Sequence, residues 1–219
     1  MSIKNNDYKC VLIGNSGVGK NIFFKKLSSN IFWAKNTSTI GIDRITLNFK
    51  DIEIDINGKK QIEDFNLIIY DTAGQERYRS ITKGYYRDSD IIFIIYDITN
   101  RKSFDDVESW LDSIIETLSS WKTKKYIITL LENKLELVEN NEKVRQIEEE
   151  EARKLCEDKG INWGGELSFI KLSSEELKEV LINSWKIFVK KFGTKPEITS
   201  ITKLQGLKYV KKKKKKISC

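Results

Sequence analysis

Gly14-Asn15-Ser16-Gly17-Val18-Gly19-Lys20-Asn21 has the residue types and spacing of a loop that holds phosphate. In a G-x-x-x-x-G-K pattern the small residues let main-chain N–H groups converge on phosphate oxygens. A helix opening at the end of the loop adds positive potential at the same point, and Lys20 adds an ammonium for the outer phosphates. Ser or Thr is the usual last residue, because its hydroxyl reaches Mg²⁺; Asn21 stands there instead. A carboxamide oxygen can ligate Mg²⁺, but its longer reach suits poorly the octahedron at about 2.1 Å that the ion demands. The expected consequence is a weakened triphosphate state, which depends on Mg²⁺ between its outer phosphates more than a diphosphate state does. A second constellation is Asp71-Thr72-Ala73-Gly74-Gln75-Glu76, directly after an apolar run. There Asp71 can hold a metal's shell through water, Gly74 can bring its N–H to a terminal phosphate, and Gln75 can orient an attacking water. Taken singly, both segments have plainer readings: a Gly-rich strand-to-helix turn, and an Asp that forms a turn.

These groups work only if strands and helices bring them together. Tyr8–Ile13 is a short apolar run ending at Gly14 and reads as a buried strand, with a helical stretch after the loop carrying Ile22, Phe23 and Leu27. Ile45, Leu47 and Phe49 alternate, as do Ile52, Ile54 and Ile56. The step from 49 to 52 breaks the period of two and predicts a bulge. Asn57-Gly58 is a strong hairpin-turn signal, with Phe65–Tyr70 as the returning strand. Ile91–Tyr96 and Tyr126–Leu131 are continuous apolar runs, as expected of parallel strands covered on both faces. Between them Phe104, Val107, Leu111, Ile114, Ile115 and Leu118 recur at helical spacing. Arg145–Asp158 reads as a charged helix with a narrow stripe of Ala152, Leu155 and Cys156, and Leu167–Leu172 as a last short strand. An i, i+3, i+4 rhythm from Leu177 to Phe192 predicts a long helix, ended by Gly193 and kept from continuing by Pro196. Strands alternating with helices make an α/β layered sheet, with residues 1–193 as one domain and 194–219 as a flexible polybasic tail.

Composition removes other classes. The chain has 219 residues, 39% hydrophobic and 32% charged, which suits one globular domain with a full core. No run approaches the roughly 18 apolar residues of a membrane span. With no His, His-based triads and His metal sites are excluded. Cys10, Cys156 and Cys219 form neither a disulfide framework nor a zinc pattern, which points to a reduced, cytosolic setting. Residues 203–219 hold eight Lys and no acid; without them the formal charge of +7 falls to −1 for residues 1–202. The basic character is therefore local, and a nucleic-acid face spread over the fold is not indicated.

Ser38-Thr39-Ile40-Gly41-Ile42-Asp43, then YDTAGQERYRSITKGYYRDSD at 70–90 and IIYDITNRKSFDDV at 94–107, resemble a small GTPase of the Ras superfamily, and within it the Rab family. The likeness spans about residues 8–192 and is densest up to about 118. It implies a P-loop GTPase fold, a six-stranded, mostly parallel sheet flanked by about five helices. It implies GTP/GDP and Mg²⁺ as ligands, with Asn21, Thr39 and Asp71 at the metal and Gln75 as the hydrolytic residue. Asn133-Lys134-Leu135-Glu136 resembles the guanine motif N-K-x-D, with Glu136 one methylene longer than the usual acid, and Ser173-Ser174-Glu175 takes the place of S-A-K. Arg44 and Tyr70 depart from the family's usual aromatic effector surface, which also includes Tyr85. The implied function is a slow GTPase switch in vesicle traffic. Its implied partners are an exchange factor, an activating protein that supplies an arginine, and effectors at switch I and switch II (about residues 74–87). The alternative is a GDP-biased, non-cycling module that holds an exchange factor or scaffold. Lys211–Lys216 ahead of a terminal Cys219 suit a prenylated anchor on the cytoplasmic face of a membrane, with a cytosolic pool and a monomeric protein. A solvated basic tail is the plainer alternative.

Overall fold

The computed structural model describes residues 3–4, 6–28, 42–72, 84–119, 125–195 and 197–198. Along the chain run β1 (Ile3–Lys4), β2 (Asp7–Ile13), α1 (Lys20–Ser28), β3 (Ile42–Ile56), β4 (Lys59–Thr72), β5 (Ile91–Asp97) and α2 (Arg101–Ser119). Then come β6 (Ile127–Asn133), α3 (Leu135–Glu139), α4 (Glu149–Lys159), β7 (Asn162–Glu166), α5 (Ser174–Phe192) and β8 (Glu197–Ile198). Six strands form one sheet in the order β3-β4-β2-β5-β6-β7, antiparallel between β3 and β4 and parallel elsewhere.

The continuous apolar runs explain that sheet. In β2 and β5 every second residue faces one helical layer and the rest face the other. Cys10, Leu12, Phe93 and Ile95 pack with Phe23 and Leu27 of α1 and Trp185 of α5. Val11, Ile13, Ile92 and Ile94 pack with Trp110 of α2 and Cys156 of α4. Covering both faces buries all seven residues of β5 and of β6. On the first face Trp185 stacks on Phe65 at 4.0 Å and 7°, which ties α5 to the hairpin strand β4.

The β3–β4 hairpin follows its local chemistry. Asn57 (φ 54°) and Gly58 (φ 77°) are both left-handed, the geometry of a two-residue hairpin turn. The register shifts between Phe49 and Ile52, with Asp51 at φ 54° and its N–H donated to Asp64 Oδ1 at 2.9 Å. The returning strand is longer than Phe65–Tyr70, because residues 59–63 pair with β3, although among the described residues no third strand lies beside them.

Two expectations near the C-terminal half are corrected. The last sheet strand is Asn162–Glu166, not Leu167–Leu172. Gly164 lets β7 close on β6: a Cβ there would stand 2.4 Å from Leu131 Cδ2 and 2.6 Å from Thr129 Cγ2. Residues 167–172 instead turn over, with the N–H groups of Lys171 and Leu172 both donating to Ser168 O at 2.9 Å. The helix expected from Arg145 begins at Glu149, because Arg145 is used in an ion pair with Glu166 and Ile147 is buried against the second core.

Beyond α5 the chain returns to the sheet. Lys195 Nζ donates to Asp7 O at 2.6 Å and pairs with Asp90 at 2.7 Å, and its N–H donates to Tyr8 Oη at 3.2 Å. β8 then pairs antiparallel with β1.

Candidate functional site

Parallel α/β sheets place ligand sites beyond the carboxyl ends of their strands. Here the ends of β2, β4, β5 and β6 carry Gly14, Asp71, Asp97 and Asn133 in turn.

Two glycines set the geometry. Gly14 has φ 136°, and a Cβ there would lie 2.2 Å from Ile95 O of the neighbouring strand. Gly19 has φ 112°, and a Cβ there would lie 2.2 Å from Asn133 Nδ2. No L side chain fits either position, so the loop hugs β5 and β6 and opens straight into α1, where the N–H groups of Ile22 and Phe23 donate to Gly19 O. Ser16, Gly17 and Asn21 are exposed at the mouth, and Val18 is buried.

Lys20 is 6% exposed, and its Nζ donates back to Gly14 O at 2.7 Å and Asn15 O at 2.8 Å. Burial lowers its pKa to about 8, against the pull of Asp71. Asp71 is 9% exposed, and among the described residues its Oδ1 has no hydrogen-bond partner. Burial lifts its carboxyl to about 6, with Lys20 pulling it down and Asp43 pushing it up. The end of β4 that carries it is pinned by Thr72 Oγ1, which donates to Leu12 O at 2.7 Å.

The end of β6 works differently, through side chains. Asn133 donates from Nδ2 to Val18 O at 2.8 Å and accepts the Phe169 N–H on Oδ1 at 3.0 Å. It thereby staples the glycine loop to the turn after β7. Lys134 stands at φ 74° and pairs with Asp97 at 2.7 Å. Burial pushes the Asp97 carboxyl up, but bonds from Lys134 and Thr99 outweigh it and hold the carboxyl below its ordinary value. Glu136 is 5% exposed, with a buried Oε2 that has no partner among the described residues.

The structure brings Gly14–Lys20, Asp71, Asn133, Lys134 and Glu136 to one end of the sheet, but it engages Ser173 elsewhere. Ser173 is the N-cap of α5: its Oγ accepts the Glu176 N–H, while its own N–H donates to Glu176 Oε2 at 2.7 Å. Ser174 follows in the first turn of that helix, with its Oγ buried. The segment that meets Asn133 is Leu167–Phe169, whose Leu167 O also accepts the Leu135 N–H. Ser173 is thereby engaged as a helix cap, and the turn at 167–172 supplies the contact with Asn133. Thr39, Gly74, Gln75, Lys211–Lys216 and Cys219 lie outside the described residues. Sequence reasoning missed Asp97 as the partner of Lys134; its signal was an acid at the end of a strand adjoining β6.

The donor set suits a nucleoside diphosphate with Mg²⁺. The Asp71 oxygen that is without a partner among the described residues can take the hydrogens of metal-bound water, and Lys20 holds loop carbonyls that a phosphate oxygen can replace. Among the described residues no group of three or more acidic or Cys side chains forms a metal cage by itself.

Comparison with known proteins agrees. The Ras family model matches residues 9–183. The chain is 42% identical over 156 residues to the Ras-related protein Rab-8B of Homo sapiens, covering 71% of this chain and 67% of that protein. It is equally similar to Rab-8 of Diplobatis ommata (42%, covering 71% and 66%), and 37% identical to Rab-26 of Bos taurus (covering 70% and 54%). Matching over most of its length, with a glycine cradle, a buried Lys20–Asp71 couple and an Asn133 staple at the strand ends, the chain belongs to the Ras family as a Rab-like small GTPase, hydrolysing GTP to GDP and phosphate.

Proposed function

We propose that this protein is a guanine-nucleotide switch whose GTP form recruits partners in membrane traffic and whose hydrolysis is slow without one. The observation that carries the reading is the Lys20–Asp71 couple: among the described residues, a buried ammonium hydrogen-bonded to carbonyls of its own loop and a carboxylate oxygen with no hydrogen-bond partner. Gly14–Lys20 grip the phosphates through main-chain N–H groups, and Lys20 exchanges Gly14 O and Asn15 O for phosphate oxygens. Bound Mg²⁺ would supply neutralisation of charge on the outer phosphates, and Asn21, Thr39 and Asp71 would hold it. Gln75 orients the attacking water, and a partner provides the arginine that adds about 10³–10⁵ in rate. At the base, Glu136 accepts the ring and exocyclic N–H groups, and the turn at Ser168–Phe169 takes the place first given to Ser173–Ser174. Asn21, exposed at the mouth of the loop, favours GDP over GTP, and so keeps a second reading in view, a GDP-held module that sequesters an exchange factor.

Purified protein with Mg²⁺ and labelled nucleotides tests this. Retention of both GDP and GTP, with release of phosphate stimulated by a partner, is the expected result. Firm GDP retention beside negligible GTP retention selects the sequestering module, and retention of neither removes the nucleotide reading.

The tail acts as the anchor: a lipid chain on Cys219 binds weakly alone, and Lys211–Lys216 at about 1 kcal/mol each near an anionic leaflet add the second signal. Expression in cells of the Cys219→Ser chain should move it from membrane to cytosol; unchanged pelleting defeats the lipid anchor.

A further inference from the structure

Asn15 has both ends of its carboxamide in use. Nδ2 donates to Asp106 Oδ2 at 2.6 Å, and Oδ1 accepts the Trp110 indole N–H at 2.9 Å. Its carbonyl is taken as well, by Lys20 Nζ at 2.8 Å. Both side-chain partners lie on α2, one helical turn apart, more than ninety residues along the chain. Neither partner is loose. Trp110 is 2% exposed within the second core, and Asp106 is braced by Lys102 at 3.2 Å from the turn before. A fixed donor and a fixed acceptor leave one orientation for the carboxamide.

We propose that the Asn15 side chain positions the loop and is not itself a phosphate contact: it ties the first turn of the glycine loop to α2 and fixes the aim of the loop's N–H groups. The inference rests on the nucleotide reading above for its consequence, but the tether exists without ligand. The glycine at 14 supplies the turn against β5 but, carrying no side chain, leaves the torsional freedom of the residues after it unrestrained. The Asn15 side chain removes that freedom from outside the loop. Preorganised N–H groups bind phosphate without first paying an ordering entropy. The same tether makes α2 a lever: a partner that shifts Asp106 or Trp110 shifts the loop, and with it the lifetime of bound nucleotide.

The full chain tests this by reciprocal exchange. Asn15→Asp sets two carboxylates face to face and should speed release of fluorescent GDP about tenfold or more, given the cost of an unmade buried bond to a charge. Adding Asp106→Asn restores one donor and one acceptor with their places reversed, and should return the rate to within about twofold of wild type, a rescue that bulk destabilisation does not give. Failure of the double variant to improve on Asn15→Asp, or unchanged release in Asn15→Asp, overturns the tether. The Trp110 indole N–H resonance of nucleotide-free protein is the second measurement. It should be protected from exchange in wild type and in the double variant, and exposed in Asn15→Ala. If wild type retains no GDP, the nucleotide reading fails, and the resonance alone decides the tether: protection that persists in Asn15→Ala refutes it.

Discussion

The two halves of the site are built on different principles. The phosphate half, at the ends of β2 and β4, offers main-chain geometry set by Gly14 and Gly19, plus one buried couple, Lys20 with Asp71. The base half, at the ends of β6 and β7, offers side chains: Asn133 as a staple, Lys134 held by Asp97, and the buried Glu136. Backbone recognition depends on where a Cβ can fit, so it tolerates few residues and leaves a rigid spacing. Side-chain recognition tolerates exchange wherever neighbours can repack. That is why departures from the family's motifs in the base half fall at Glu136 and in the turn after β7, while the phosphate loop keeps its pattern through Gly14–Lys20 and departs only at the next residue, Asn21.

Gly19→Ala should have the largest effect, because this position joins the halves. Its Cβ would meet Asn133 Nδ2 at 2.2 Å with φ at 112°, so Asn133 must abandon Val18 O or the loop must move. We expect GDP affinity to fall about hundredfold, the sum of backbone strain and a lost staple. Isothermal titration measures it; a variant within about threefold of wild type would show that the halves act independently.

Glu136→Ala and Ser173→Ala then separate the base half from the helix beside it. Loss of a charged acceptor for the ring N–H and the exocyclic amine should weaken GDP about ten- to hundredfold. It should also narrow the preference for guanine over hypoxanthine diphosphate. Ser173→Ala should leave affinity unchanged and cost about 1 kcal/mol of thermal stability, the worth of an N-cap. A GDP defect in Ser173→Ala would restore that residue to the site.

The same contrast governs what the sequence made legible. β2, β5 and β6 were readable because strands buried on both faces leave continuous apolar runs, and the hairpin because Asn57-Gly58 and the broken alternation at 49–52 are local signals. β7 was not readable. Asn162-Trp163-Gly164-Gly165-Glu166 has the composition of a loop, and Gly164 is there for a contact with Leu131 and Thr129 that no local pattern encodes. Leu167–Leu172 looks like a strand because it is rich in apolar residues, but it is a turn that buries Phe169 and leaves Ile170 exposed. The phosphate loop announced itself through spacing. The partners that hold it, Asp106 and Trp110, lie on the far side of a crossover and left no mark near residue 15.

Each half also holds a buried acid whose carboxyl burial raises, and a matched pair of substitutions contrasts the two. Asp71→Asn removes a carboxylate raised to about 6 by burial. The folded state binds the proton more tightly than the unfolded chain, so stability contributed by the neutral form is complete below about pH 4 and lost as pH rises through 6. The variant should therefore be more stable than wild type at pH 7.5 by about 1 kcal/mol, and no different at pH 3.5. It should also lose the Mg²⁺ dependence of GDP retention. Thermal melts with and without nucleotide report both effects.

Glu132→Gln should give the smaller effect and the opposite lesson. Glu132 is fully buried one residue before Asn133, and Oε1 accepts the Trp163 indole N–H at 2.9 Å. Burial raises its carboxyl; Trp163, Tyr96 and Arg145 pull it down, and Glu166 pushes it up. The sign matches that of Asp71: stability held below the ordinary Glu range is lost as pH rises through the raised value. A carboxamide keeps an oxygen for Trp163 and carries no charge to bury. Glu132→Gln should therefore gain a few tenths to about 1 kcal/mol at pH 8 and nothing at pH 4, with GDP retention intact throughout. The gain arises because Arg145 is committed to Glu166 and compensates Glu132 only in part. If the variant instead loses stability at pH 8, the Glu132 charge is fully compensated where it lies, and the base half is held together by an ion network rather than by packing.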